Sequence, residues 1–156
     1  MMSSSLEAIP ERPPVKPRKR KVARVLLADT GLASRLTLKT ILTTAGYAVS
    51  GAASAAEAID KLDEGEYQLV LADLRAESEE AGARLLAYAR QKEYHPATAL
   101  ISSDMSETSR SQPEDGSDER VVSISNENVS YLLAKVAELI SQRADRRIRL
   151  ALRKAG

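Results

Sequence analysis

Short apolar runs alternate along the chain with longer segments of helical period, and polar or Gly- and Pro-containing stretches separate them. Val22 to Ala28 (VARVLLA) is short, apolar and free of turn residues, which predicts a buried strand. Leu32 to Ala45 follows with Leu38, Ile41, Leu42 and Ala45 at i, i+3, i+4 and i+7, so one helical face is apolar, and Gly46 supplies a left-handed stop. Tyr47 to Ala52 reads as a second strand. Ser54-Ala-Ala-Glu57 is a capping box: Ser54 accepts from the Glu57 backbone N–H, and the Glu57 side chain reaches back. That helix carries Ile59 and Leu62 inward and stops at Gly65. Tyr67 to Ala72 is a third strand, and its Leu69-Val70-Leu71 run suits a sheet covered on both faces. Asp73 stands at its C-terminal end, before a polar loop from Arg75 to Ala81. A helix over Ala83 to Gln91 turns Leu85, Leu86 and Ala89 inward. Ala97 to Ser102 (ATALIS) and Val121 to Ser125 (VVSIS) predict the last two strands. A long terminal helix runs from Asn128 to about Arg153, with Val129, Leu132, Leu133, Val136, Leu139 and Ile140 on its inner stripe.

Strands alternating with helices imply βαβ crossovers, hence an α/β fold with a doubly wound, five-stranded parallel sheet of flavodoxin-like type. Between the fourth and fifth strands lies SDMSETSRSQPEDGSDER, with one Met, one Pro and one Gly. Its lack of apolar periodicity predicts a mobile acidic loop where a fourth helix would pack.

Charge divides the chain into three parts. Residues 1–24 hold seven Lys/Arg against two Glu (+5), residues 25–140 ten basic against nineteen acidic residues (−9), and residues 141–156 six basic residues against one Asp (+5). An acidic domain over 22–140 thus lies between a Pro- and Ser-rich basic tail (1–21), expected to be disordered, and a basic helical extension (141–156). In the extension Ile148 and Leu152 form a short apolar stripe that can pair two protomers in a homodimer or engage another partner.

Composition removes several chemistries. The absence of Cys excludes disulfides, thiolate metal sites and a cysteine nucleophile, and the single His95 excludes a multi-histidine metal site. His95 precedes Pro96 and reads as an exposed loop residue. No apolar run approaches the roughly 18 residues of a membrane span, and MMSSSLEAIPERPP lacks a signal-peptide pattern, so a cytoplasmic protein is expected. The turn after the first strand, DTGLAS, holds one glycine, and there is no Phe or Trp to sandwich a flavin, which argues against a flavodoxin-like enzyme or cofactor binder.

In open α/β sheets ligands bind beyond the carboxyl ends of the strands, which directs attention to Asp29, Asp73 and Ser102. Asp29 and Asp73 close the first and third strands, neighbours in this winding. Two converging carboxylates repel unless a cation intervenes, and a hard ion such as Mg²⁺ takes oxygen ligands. The alternative is that both cap the segments that follow, which accounts better for Asp29 than for Asp73.

The run RVLLADTGLASRLTLKTILTTAGYAVSGAASAAEAIDKL resembles the first half of a response-regulator receiver domain of two-component signalling, and YQLVLADLR resembles its phosphoacceptor strand. The resemblance covers about residues 23–140 and implies a stand-alone, partly degenerate receiver. It implies that Asp73 accepts a phosphoryl group from a histidine kinase, a phosphotransfer protein or a small phosphodonor. It implies Mg²⁺ held by Asp29, Asp73 and the main-chain carbonyl of Arg75. Ser102, or Ser103 one residue on, matches the switch hydroxyl. The departures are as specific. The family's second acid after the first strand is Thr30, its Lys-Pro after the fifth strand is replaced by SISNEN with Ser125 or Asn126 in the Lys position, and its aromatic switch residue is Val121 or Val122. Fewer carboxylates weaken a hard-cation site, so Mg²⁺ binding is expected to be weak or absent.

The resemblance therefore implies a non-enzymatic phosphorelay protein that signals through a downstream protein partner, or else a pseudo-receiver binding its partner without phosphorylation. A nucleic-acid adaptor acting through Lys16-Pro-Arg-Lys-Arg-Lys21 and Arg143 to Lys154 ranks below both, because the tails lack interleaved aromatics and no helix-turn-helix follows the domain.

Overall fold

A computed structural model describes residues 22–102, 123–125 and 128–155. The elements are β1 (Arg24–Asp29), α1 (Leu32–Thr44), β2 (Ala48–Ala52), α2 (Ala55–Glu64), β3 (Leu69–Asp73), α3 (Ala81–Arg90), β4 (Ala97–Ser102), β5 (Ser123–Ser125) and α4 (Val129–Ala155). The five strands form one parallel sheet in the order β2-β1-β3-β4-β5. The α/β fold, the parallel sheet and its flavodoxin-like winding are as the pattern of apolar runs predicts. The expected disordered tail (1–21), the loop replacing a fourth helix, and Ser103, Val121, Val122 and Asn126 lie outside the described residues.

The uninterrupted apolar strands follow from burial on both faces. Alternate residues of β1 point to opposite sides, as the pleat requires. Leu26 and Ala28 join Val70, Ala72, Leu62, Leu85 and Leu86 under α2 and α3. Val25 and Leu27 join Leu69, Leu71, Leu38, Leu42, Leu132 and Val136 under α1 and α4. Leucine and alanine thus fill both half-cores, and the close approach of α3 to the sheet depends on Gly82. A Cβ there would stand 2.8 Å from Leu100 Cδ2.

Local caps act where the sequence places them, with small differences in reach. Ser54 Oγ accepts from Glu57 N at 3.1 Å, but the Glu57 carboxylate goes to Ala53 N at 2.8 Å, one residue before the cap. Asn128 caps α4, its Oδ1 accepting from Tyr131 N at 3.0 Å. Gly46 is left-handed with φ 107°. Val129, expected on the inner stripe of α4, is exposed, because it lies in the first turn outside the packed region. Helix α4 continues past Ile140 without a break. The buried Arg143 donates from Nε to His95 O (3.0 Å) and from Nη2 to Tyr94 O (2.7 Å), and Arg147 adds a bond to Tyr94 O (3.0 Å). His95 itself is exposed, with a left-handed φ of 42°. Among the described residues no helix is long and apolar enough to cross a membrane.

Candidate functional site

The winding places the carboxyl ends of β1, β3 and β4 side by side, and the register sets Asp29 directly beside Asp73. Their environments differ. Asp29 is 2% exposed, and both its oxygens are engaged within its own loop: Oδ1 accepts from Gly31 N at 2.9 Å and Oδ2 from Ser34 Oγ at 2.6 Å. Gly31 stands at the N-cap of α1 with no side chain to offer, so Asp29 satisfies the helix entrance from two residues upstream. Arg35 Nη1 donates to the Asp29 carbonyl at 2.7 Å, which fixes the direction of the turn. Thr30, in the place of a second acid, is held by its N–H, which lies 3.4 Å from the Asp73 carbonyl.

Asp73 is half-buried at the end of β3. Arg75 forks it, Nε donating to Oδ1 at 3.0 Å and Nη2 to Oδ2 at 3.1 Å. The bidentate arrangement matches the planar guanidinium to the planar carboxylate. It arises locally, between the acid that ends β3 and a cation two residues on, at the start of the turn that follows. The Arg75 side chain remains 56% exposed against 17% for Asp73. Arg75 also opens the turn that ends in a bond from Glu77 N to Leu74 O (2.9 Å), and Glu77 Oε2 accepts from Ala55 N (3.1 Å) at the start of α2.

Asp73, Arg75 and Ser102 line one pocket of about 110 Å³, closed by Glu79, Gly82 and Leu100. Ser102 is half-buried at the end of β4. Asp29 is not among the residues lining this pocket, although it adjoins Asp73 in the sheet. The structure therefore brings three of the four expected site residues to one cavity and directs the fourth into helix capping. The resemblance gives Arg75 a role through its main-chain carbonyl, whereas in the structure its guanidinium contacts Asp73. The signal was present in the sequence as a cation two residues after an acid at a strand end.

Whether these groups suit a divalent cation is decided by their donors. All four carboxylate oxygens of Asp29 and Asp73 already accept hydrogen bonds from protein groups, and Thr30 supplies no carboxylate. Among the described residues no group of three or more His, Cys, Asp or Glu side chains could hold a metal ion. As arranged, the donor set does not fit Mg²⁺, which needs several free oxygen ligands in a near-octahedral shell.

Comparison with known proteins agrees with the fold. The receiver domain from Methylobacillus flagellatus (CheY-like) superposes with a TM-score of 0.60 at 14% identity, over 76% of this chain and 98% of that one. A response regulator receiver protein from Sinorhizobium medicae WSM419 gives 0.63 at 22% identity, over 79% and 98%. The signal receiver domain of an HD domain-containing protein from Pseudomonas fluorescens Pf-5 gives 0.65 at 20%, over 82% and 93%. No curated protein matches the chain in sequence. The family model of the response regulator receiver domain matches residues 25–116, more than half of the chain and all of the strand-end constellation around Asp73; the chain belongs to that family.

Proposed function

We propose that the chain is a signalling receiver module that engages a protein partner through its folded surface, without a Mg²⁺-dependent phosphoryl switch and without catalysis of its own. Receiver domains as a family work with histidine kinases or phosphotransfer proteins, and the partner is sought in that class. One observation carries the reading: the Arg75 fork on Asp73, beside an Asp29 committed to helix capping. A guanidinium already neutralises Asp73, so the neighbouring carboxylates need no cation between them. The Thr30 position adds no third charge to recruit one.

A second reading has its own support. Asp73 opens on the pocket it shares with Ser102, and more than half of the Arg75 side chain is exposed, so water or a competing anion can reach the pair. In that reading Asp73 accepts the phosphoryl group, with Ser102 or Ser103 bonding it. Intact-mass measurement after incubation with acetyl phosphate and Mg²⁺ separates the two. No mass gain is expected. A gain of one phosphoryl group that disappears in Asp73→Asn would establish the phosphorelay reading instead.

A further inference from the structure

Helix α4 outruns the domain it packs on. Leu132, Val136 and Arg143 mark its buried side, and Arg143 and Arg147 tie it to the Tyr94 and His95 carbonyls. At about 3.6 residues per turn, Ile148 and Leu152 come about one and a half and about two and a half turns after Arg143, so they stand on the side turned away from the domain. They are 58% and 67% exposed. Arg146, Arg149 and Arg153, at i, i+3 and i+7, form a stripe along the flank of that apolar face. All three are exposed, and none has an ion pair among the described residues. Asp145 is the one acid of residues 141–156 and precedes this stretch. The helix end is therefore amphipathic, with aliphatic side chains outward, arginines on the flank and the domain behind.

The topology brings a second basic segment to the same pole. Lys16 to Lys21 holds five basic residues and ends directly before Val22. Strand β1 starts at Arg24 and β4 at Ala97, and in a parallel sheet these starts share one edge. The carbonyls that hold Arg143 stand just before Ala97. Both basic segments thus join the domain at the amino edge of the sheet. Asp29 and Asp73 lie at the opposite edge, followed there by Glu77, Glu79 and Glu80.

Cations alone suit nucleic acid as well as lipid, and Ile148 and Leu152 separate the two. A phosphodiester backbone offers large aliphatic side chains nothing in this position. A bilayer interface takes up the apolar face of a basic amphipathic helix, while anionic headgroups attract the arginines beside it. The domain lies on the other side of α4 and does not obstruct that approach. We propose that the end of α4 is a reversible anchor to an anionic bilayer surface. Ile148 and Leu152 enter the headgroup boundary, Arg146, Arg149 and Arg153 meet lipid phosphates, and the run Lys16 to Lys21 adds charge. The anchor holds the amino edge of the sheet to the membrane and leaves the Asp73 edge facing away from it, open to a protein partner. It is independent of what happens at Asp73.

The full chain should sediment with vesicles of phosphatidylcholine and phosphatidylglycerol, stay in solution with phosphatidylcholine alone, and be released by salt. Arg146→Gln, Arg149→Gln and Arg153→Gln together should weaken binding by about a hundredfold, at about fivefold for each cation near an anionic surface. Ile148→Gln with Leu152→Gln leaves the charge untouched and should weaken binding by about tenfold or more. Glutamine is a good helix former and both positions are exposed, so the circular dichroism spectrum should not change. The chain has no Trp, so a single introduced one reports its own surroundings. In Leu152→Trp the emission should shift to the blue on adding anionic vesicles. In Leu150→Trp, about two turns after Arg143 and so on the domain side, it should not. A chain that ignores anionic vesicles, a glutamine double variant that binds them as tightly as the parent, or equal shifts at both positions would each overturn the proposal. Tighter binding to a short DNA duplex at low salt, indifferent to Ile148 and Leu152, would assign the basic pole to nucleic acid instead.

Discussion

At the two ends of the sheet, arginine does the same work on very different terms. At the carboxyl end Arg75 neutralises Asp73 from solvent, with more than half of its side chain exposed. At the amino end Arg143 is buried and divides its donors between two backbone carbonyls, those of Tyr94 and His95. Burial, and then the neighbouring Arg147 and Arg146 cations, holds the Arg143 guanidinium below its ordinary value. A buried cation whose partners are backbone groups cannot be exchanged without leaving those carbonyls unpaired, whereas an exposed one yields to water, salt or a competing anion. The same side chain is thus structural at one end and exchangeable at the other, and burial makes the difference.

The largest test of this contrast is Arg143→Ala. It should lower the unfolding free energy by about 2–3 kcal/mol in urea titration, since two carbonyls lose a charged donor, although Arg147 can still serve Tyr94. Gly82→Ala comes next, at about 1–3 kcal/mol, because the new methyl meets Leu100 at the rim of the pocket and α3 has to shift outward. Asp29→Asn should cost about 1–2 kcal/mol, since an amide cannot accept from both Gly31 N and Ser34 Oγ. Asp73→Asn, at the partner position on the neighbouring strand, should change stability by less than about 1 kcal/mol. A cost equal to that of Asp29→Asn would remove the distinction between the two carboxylates.

The smallest expected effect is in pH dependence. The hydrogen bond from Lys92, followed by that from Tyr88, holds the exposed Asp63 carboxyl below its ordinary value. A depressed carboxylate contributes stability that is present above its unfolded value and lost as pH falls through the folded one. Urea midpoints measured from about pH 5 down to about pH 3 should therefore decline slightly less in Asp63→Asn than in the parent chain. An identical decline would show that water screens this triad completely.

Much of this architecture is legible in the residue order. The periods of Leu26 to Ala28, of Leu38 and Leu42, and of Leu69 to Leu71 specify strands and helices, because alternation and the i, i+4 spacing act within one segment. Ser54 and Gly46 act as the residue order predicts because capping too is local. The strand ends carrying Asp29 and Asp73 can be found the same way, and doubly wound parallel topology makes them neighbours. What local pattern leaves open is how each side chain's valences are spent. Asp29 could have faced the pocket beside Asp73. It turned into its own loop because Gly31 leaves the entrance of α1 without a side-chain cap. Arg75 could have pointed to solvent, and the anchoring of α4 by Arg143 depends on carbonyls nearly fifty residues away. Sequence alone determined the receiver fold and the place of Asp73 at a strand end. Only the tertiary structure decided which local donors take up the oxygens of the two carboxylates, because several rotamers fit the same residue order, and that Arg143 anchors α4, because its carbonyl partners meet it only when distant segments pack.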